Sequence, residues 1–428
     1  MFNVLVFPGG SEIGLEVHNA LKYDKHINLF GLSSIPSHGK MVYKNYIEGI
    51  SYYTSDTFID ELNAIIDRNK IDVLIPAYDD VILFVSDHRE RIHCKIVTSG
   101  KETCDICRSK KKTYAFLSGE SFVPVEYNFE EIREEDLPIF AKPDIGQGSQ
   151  GVKLIKTLDD LEGCKSNSED YVFSEVLPGE EYTVDCFTDL DGNLLIASMR
   201  ARNRIKTGIS VNSVARTAPE DVRYIAETIN SRVEFSGVWF FQLKLDKNNQ
   251  YKLLEMAPRV AGSMATSRMR GFNFILNSVY QAMGYKVKAL PNLIGEVEID
   301  RALSSKYNIS IEYDDVYIDF DDTLTLREEV NVWAIAFLFQ CRNQGKKIIL
   351  LTRHSKDIHE SLQHYQISEA LFDKIIELED NEPKSHYITS EKAIFIDDSF
   401  RERYDVSERK RIPVFDVDGL DGLLDWRL

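Results

Sequence analysis

Residues 239–259 read Trp239-Phe-Phe-Gln-Leu-Lys-Leu-Asp-Lys-Asn-Asn-Gln-Tyr-Lys-Leu-Leu-Glu-Met-Ala-Pro-Arg259. Two strand-like runs, residues 238–246 and 251–256, flank Lys247-Asn-Asn-Gln250, a composition that favours a turn. A four-residue loop closing an antiparallel hairpin there sets Gln242 directly opposite Glu255, with both side chains on one face. The first strand's other face is Phe241, Leu243 and Leu245, a core surface. A carboxylate beside an amide oxygen suits a hard divalent cation, and Arg259 just beyond suits a phosphate or acyl-phosphate oxyanion. The same pattern fits a plain hairpin with two polar residues on its wet face, so the surrounding chain has to decide.

Upstream, Gly146-Gln-Gly-Ser-Gln-Gly151 satisfies the G-x-G-x-x-G spacing of a dinucleotide-binding turn. That motif needs a helix after it, whose N-terminus faces pyrophosphate, and here Val152-Lys-Leu-Ile155 reads as a strand. The loop therefore joins two strands, residues 138–142 and 151–155, and such a hairpin can fold over triphosphate oxygens with its backbone N–H groups. Lys142 supplies a cation at its mouth. Residues 171–185 read as two strands about a Pro178-Gly179 corner, and residues 193–199 as another. Residues 218–233 have the period of a helix with Val222, Ile225, Ile229 and Val233 inward, and a further helix is expected near residues 274–283.

At the start of the chain, residues 3–7 look like a buried strand, followed by Pro8-Gly-Gly-Ser-Glu-Ile-Gly14 and an amphipathic helix through Leu21. Strand, Gly-rich turn and helix open a Rossmann-like unit, although glycines at 9, 10 and 14 do not meet the dinucleotide spacing. Residues 55–69 read as a helix capped by Ser55 or Asp56, and residues 71–76 as a strand running into Tyr78-Asp-Asp80, a place to meet a ligand. An open α/β sheet over about residues 1–100 is expected.

Composition narrows the classes. A length of 428 residues, 43% of them hydrophobic and 28% charged, describes several packed domains. A net charge of −18 argues against a nucleic-acid partner, which needs a basic face. Six scattered cysteines are not a disulfide scaffold, and Cys104-Asp-Ile-Cys107 is half a zinc site with no second half. No signal-peptide pattern and no long apolar run is present, so a cytoplasmic protein without a membrane partner is expected.

These residues resemble the ATP-grasp superfamily, most closely the branch with carbamoyl-phosphate synthase and related carboxylate–amine ligases, over about 300 residues. Ser109-Lys-Lys-Lys-Thr113 resembles its Asp-Lys-x-x-Thr pattern, with Lys110 in the lysine place and Ser109 replacing the Asp. Lys142 and the loop of Gly146, Gly148, Ser149 and Gly151 resemble the lid over the phosphates. Ser174-Glu175 resembles the hinge that meets adenine, and Glu181 the carboxylate that meets ribose. Gln242 and Glu255 resemble the metal ligands and Arg259 the catalytic arginine, while Ala257 replaces a usual Asn ligand. The resemblance implies ATP and Mg²⁺ (or Mn²⁺), an acyl phosphate with ADP released, and attack by an amine or ammonia. Arg202 and Arg216, in the basic stretch that begins at Arg200, and Ser263 and Arg268 after the hairpin are candidate substrate contacts or simply a solvated charged loop.

Beyond a polar linker at residues 299–310, Val316-Tyr-Ile-Asp-Phe-Asp-Asp-Thr-Leu-Thr325 is a strand ending in a burst of carboxylates, which implies a cation. Lys346-Lys-Ile-Ile-Leu-Leu-Thr352 ends in a hydroxyl and Ala393-Ile-Phe-Ile-Asp-Asp-Ser399 in paired Asp. The set resembles the haloacid dehalogenase phosphatases. Asp319 matches the nucleophile, Asp321 the acid/base, Thr352 the phosphate-holding hydroxyl and Lys384 the lysine, with Lys374 as its rival. Asp397 and Asp398, with Asp319 and Asp321, would hold Mg²⁺, and Asp322 stands where Gly is common. Neither the gap from Asp319 to Thr352 nor that from Thr352 to Lys384 has room for a cap domain, so the site would be open.

The expected fold is thus a multidomain α/β and α+β chain. It has a Rossmann-like pre-grasp domain at 1–100, an ATP-grasp domain at 101–300 with its lid about 114–185, and a capless haloacid dehalogenase-like Rossmannoid domain at 312–428. The expected function is a ligase joining a small carboxylate to an amine or ammonia, fused to a phosphatase for a phosphomonoester; homo-oligomers are compatible with it. A kinase with a stable phosphorylated product, or a C-terminal domain that only binds, are the alternatives.

Overall fold

The strand Phe2–Phe7 alternates between two cores: Val4 and Val6 pack on one side, Leu5 and Phe7 on the other. Burial on both faces is why Val4–Phe7 is a continuous apolar run rather than an alternating one. In the computed structural model it is the centre of a five-stranded parallel sheet, in the order Asn45–Glu48, Ile27–Ser33, Phe2–Phe7, Val73–Pro76, Lys95–Ile96. Residues 1–146, 150–206, 208–289, 295–379 and 382–427 are described, and they divide into two units, Met1–Leu303 and Ser304–Arg427.

Helix Glu12–Leu21 starts within the Gly-rich stretch, because the Ser11 hydroxyl accepts from Gly14 N and caps it. Helix Phe58–Asn69 starts later than expected, after Thr57, and neither Ser55 nor Asp56 caps it. Thr57 instead donates its hydroxyl to Glu61 at 2.6 Å.

A six-stranded antiparallel sheet fills the rest of the first unit: Tyr251–Ala257, Gly237–Leu245, Glu181–Thr188, Leu194–Lys206, Ile209–Thr217, Val297–Asp300. Its central hairpin carries the expected pair, Gln242 opposite Glu255. Nearer the turn the register shifts by one, with Leu243 opposite Leu253, so a bulge at Leu254 restores the pairing at the site. Phe241 and Leu243 are fully buried and pack under helix Glu220–Arg232. The basic run from Arg200 is strand, and Val297–Asp300 is the sheet's last strand, so the linker begins later than residue 299.

A smaller antiparallel sheet, Glu126–Tyr127, Tyr171–Glu175, Ile139–Pro143, Lys153–Ile155, stands beside it. Strands Tyr171–Glu175 and Glu181–Thr188 therefore belong to different sheets. Gly179 makes the crossing: its N–H donates to Leu245 O at 3.0 Å, and a β-carbon there would overlap Leu245.

The second unit is a five-stranded parallel sheet in the order Lys374–Glu377, Lys347–Thr352, Asp315–Ile318, Ala393–Ile396, Val414–Phe415. A short ribbon, Thr325–Leu326 with Glu329–Val330, precedes helix Val332–Asn343, so that helix begins later than residue 328. Like the first sheet, this one reverses its winding between its central strand and the next neighbour. A crevice opens at the C-terminal strand ends at such a point.

Candidate functional site

In the first sheet the crevice lies between the ends of Phe2–Phe7 and Val73–Pro76, and it forms one wall of a cavity of about 420 Å³. The opposite wall is one face of the six-stranded sheet. Strand alternation fixes which residues that face carries: Glu255, Gln242, Thr183 and Arg200 stand in one cross-strand row. Lys244, Glu181 and Arg202 lie two residues along on the same face. A second cavity of about 330 Å³ runs from the row into the small sheet and shares Lys110, Gly146, Arg202, Gln242 and Glu255 with the first.

Charge in the second cavity is poised for an anion. Lys142 is buried and among the described residues its Nζ has no hydrogen-bond partner. Burial, and then the neighbouring Lys110, bring its ammonium down to about 8. Burial also lowers Lys110, which sits near Glu255 and Asp144 and donates to Asp144 O at 3.3 Å. Leaving a buried cation unpaired is costly unless a ligand completes it. Glu181 pairs with Arg202 at 3.1 Å, and among the described residues Arg202 Nε has no partner. Glu175 accepts from Val125 N at 3.0 Å at an end walled by Phe140, Leu154 and Leu177, which suits a flat apolar ring.

In the first cavity Arg259 is held by Asp79, with Nη2 donating to Oδ2 at 3.0 Å and Nε to Oδ1. Burial opposes both charges, yet the pairing holds Asp79 below the usual carboxylate range and Arg259 above its own. Arg200 donates through Nε and Nη2 to buried Asp185, at 3.0 and 3.1 Å, and through Nη1 to Ser263 at 2.7 Å. Asp79 was legible only as a residue just after a strand, and Asp185 lies in the middle of Glu181–Thr188; the partners of both come from other elements.

In the second unit, Lys384 Nζ donates to Asp319 and Asp397, each at 2.6 Å. Asp319, Asp397 and Asp398 offer oxygens all within 4.8 Å of one another, a set that fits a hard cation. Burial raises Asp319 and takes Asp397 up to about 7, with the Asp319 charge adding to it. Burial alone would lower Lys384, but the two carboxylates outweigh it and raise it. The Thr352 hydroxyl is buried at the end of its strand, where it acts on Asp319. Asp322 takes φ +52°, which an Asp tolerates where Gly is commoner.

Residues 167–302 match the family model described as ATP-grasp in the biosynthetic pathway with Ter operon. The first unit has an ATP-grasp-like fold. The chain is similar to biotin carboxylase from Campylobacter jejuni in complex with β-γ-ATP, at 18% identity and TM-score 0.57, over 69% of this chain and 74% of that one. It is similar to N5-carboxyaminoimidazole synthetase from Staphylococcus aureus complexed with ADP, at 17% identity and TM-score 0.56, over 71% and 82%. Similarity to L-amino acid ligase from Bacillus licheniformis is 15% identity and TM-score 0.54, over 67% and 75%. No curated protein matches the chain.

In the first unit, Lys142, Glu175 and Glu181 line the second cavity, Arg259 and Ser263 line the first, and Lys110, Gly146, Arg202, Gln242 and Glu255 line both. Gly151 closes the glycine loop at φ +71°, and Gly148 and Ser149 lie outside the described residues. Ala257 faces the first cavity opposite Phe240 and contributes no ligand atom. Two substrate candidates lie elsewhere. Arg216 pairs with Met199 in the row that faces helix Glu220–Arg232, so alternation turns it away from both cavities. Arg268 is spent on Glu16 at 3.1 Å, tying the helix after the hairpin to helix Glu12–Leu21. In the second unit, Asp321 stands apart from the carboxylate trio, because His354 Nδ1, which the sequence did not single out, lies 2.8 Å from it. Lys384 reaches the trio, whereas Lys374 is exposed at the start of an edge strand. Among the described residues, no helix is long and apolar enough to cross a membrane.

Proposed function

We propose that the chain is a cytoplasmic bifunctional enzyme, an ADP-forming carboxylate–amine ligase fused to a phosphatase. Residues 1–100 would be its Rossmann-like pre-grasp part, 101–300 its ATP-grasp part and 312–428 a capless haloacid dehalogenase-like part. The observation that carries the ligase reading is Lys142: a buried, unpartnered ammonium in the same cavity as the Gln242–Glu255 pair. Lys110, Lys142 and Arg202 would bind phosphate oxygens, with the apolar end beside Glu175 taking the base. Gln242 and Glu255 would hold Mg²⁺, which when bound neutralises charge between the phosphates. Arg259, oriented by Asp79, would hold the acceptor carboxylate or its acyl phosphate. The similarity to a carboxylase, a synthetase and a ligase supports this class of chemistry.

The phosphatase reading is supported by the trio of Asp319, Asp397 and Asp398 with Lys384 between two of them, and by the short ribbon that is all the structure inserts before helix Val332–Asn343. Asp319 would be the nucleophile on a phosphomonoester, with Thr352 holding a phosphate oxygen and Asp321, backed by His354, moving the proton.

The test uses the Asp319→Asn chain with ATP, Mg²⁺ and a small-metabolite extract. ADP formed only with extract, beside an amide product, is expected; a stable phosphorylated product would mean a kinase, and AMP with pyrophosphate would overturn the acyl-phosphate mechanism. Turnover of an aryl phosphate by the wild type and its loss in Asp319→Asn is expected in parallel. An unchanged rate in that variant would leave the second unit as a binding domain.

A further inference from the structure

Resting on the ligase reading, we infer that the nucleophile is a protonated organic amine with an apolar body, and that Glu12 receives its ammonium group and takes its proton. The first cavity reaches from the phosphate end, at Gln242 and Glu255, to the crevice of the first sheet, where Glu12 opens helix Glu12–Leu21. Three carboxylates line its wall: Glu12, Asp79 and Glu255. Asp79 has both oxygens on Arg259, and Glu255 belongs to the pair at the phosphate end. Glu12 is different. Arg301 holds its Oε1, and among the described residues no hydrogen bond engages its second oxygen.

The position suits attack on an activated carboxylate. Glu12 and Glu255 both act on the Arg259 charge, so the guanidinium that would hold the acyl group is within electrostatic reach of each. Ile13, Ile82, Leu83 and Phe240 supply apolar wall in the same cavity. A space of about 420 Å³ falls in the range that encloses organic ligands, so it has room for an amine body beside the acyl acceptor. Room for the carboxylate comes from Gly262, where a β-carbon would overlap the Glu12 side chain.

The step balances. The free Glu12 oxygen takes one proton from R–NH₃⁺, exposing the nitrogen lone pair. Nitrogen forms a bond to the acyl carbon, the bond from that carbon to the phosphate oxygen breaks, and inorganic phosphate departs with the electron pair. The second proton leaving nitrogen goes to the departing phosphate, giving an amide.

The experiment compares the native amide with a surrogate. Full-length wild type, Glu12→Gln and Gly262→Ala are each given ATP, Mg²⁺ and the metabolite extract, with and without hydroxylamine, a small amine that is neutral at pH 7 and so needs no carboxylate. Both variants are expected to lose native amide by about 100-fold while keeping hydroxamate formation near wild type. Amide formation unchanged in both variants overturns the inference. Loss of hydroxamate along with amide assigns Glu12 to carboxylate activation and overturns it as well, as does a wild-type product that has gained only ammonia. A wild type that makes ADP but no hydroxamate overturns the ligase reading itself.

Discussion

Arg259 and Asp79 meet across 180 positions of chain, the guanidinium donating through Nε and Nη2 to both carboxylate oxygens. Arg259 follows the central hairpin and Asp79 opens a helix of the parallel sheet, so the pair locks the two sheets at the point where the cavity needs a fixed cation. A planar fork matched by two oxygens sets direction as well as charge. Asp79→Asn keeps the shape but weakens one side of the fork. It should lower the rate of ADP formation by about 10- to 100-fold, since small misplacements near a reacting group cost this much. Nucleotide affinity, measured by calorimetry, should stay near wild type, because on the proposed reading the base and the phosphates would be held mainly in the other cavity.

Lys142 predicts a pH dependence. Its ammonium has been brought down to about 8, chiefly by burial, and a polyphosphate favours the charged form. Below that value the lysine is already a cation; above it, binding must first add a proton. Nucleotide affinity should therefore fall as pH rises from about 7 to about 9, with proton uptake visible as a buffer-dependent binding enthalpy. Lys142→Met should bind weakly throughout and lose that slope. An unchanged slope in this variant would point to another group.

Asp185 is fully buried and holds Arg200 through two hydrogen bonds and Ser267 through a third, at 3.0 Å. Asp185→Ala would leave the Arg200 charge buried without its counter-ion. A cost of about 3–5 kcal/mol in urea unfolding is expected, far more than for an exposed pair such as Arg204 with Asp300.

The trio of Asp319, Asp397 and Asp398 predicts linkage to a cation. Burial and mutual repulsion, offset in part by Lys384, disfavour three carboxylates in so small a space, and Mg²⁺ would relieve the rest only in the folded unit. Mg²⁺ at 100 times its dissociation constant should stabilise by about 2.7 kcal/mol, seen as a rise in the thermal midpoint and reversed by a chelator. Asp397→Asn should abolish that response.

Much of this protein is legible in its residues taken locally. Counting out from a four-residue turn puts Gln242 opposite Glu255, and the structure reaches that pair through a bulge at Leu254 that offsets a one-residue shift nearer the turn. The strand after the glycine loop follows from Val152-Lys-Leu-Ile155, and carboxylates after apolar runs mark the ends of Asp315–Ile318 and Ala393–Ile396. These features depend on neighbours in sequence.

What depends on neighbours in space was not legible. Arg200, Arg202 and Arg216 look alike in a basic stretch, yet strand alternation and the packing of one helix send Arg216 to the opposite face. Arg268 finds Glu16 and Arg259 finds Asp79 only once the two sheets meet. His354 acquires a partner because parallel strands bring it alongside Asp321. Sequence periodicity determined which residues share a face; which charge answers which was decided by tertiary packing, since it alone brings distant carboxylates and cations within hydrogen-bond range while removing the water that would otherwise solvate them.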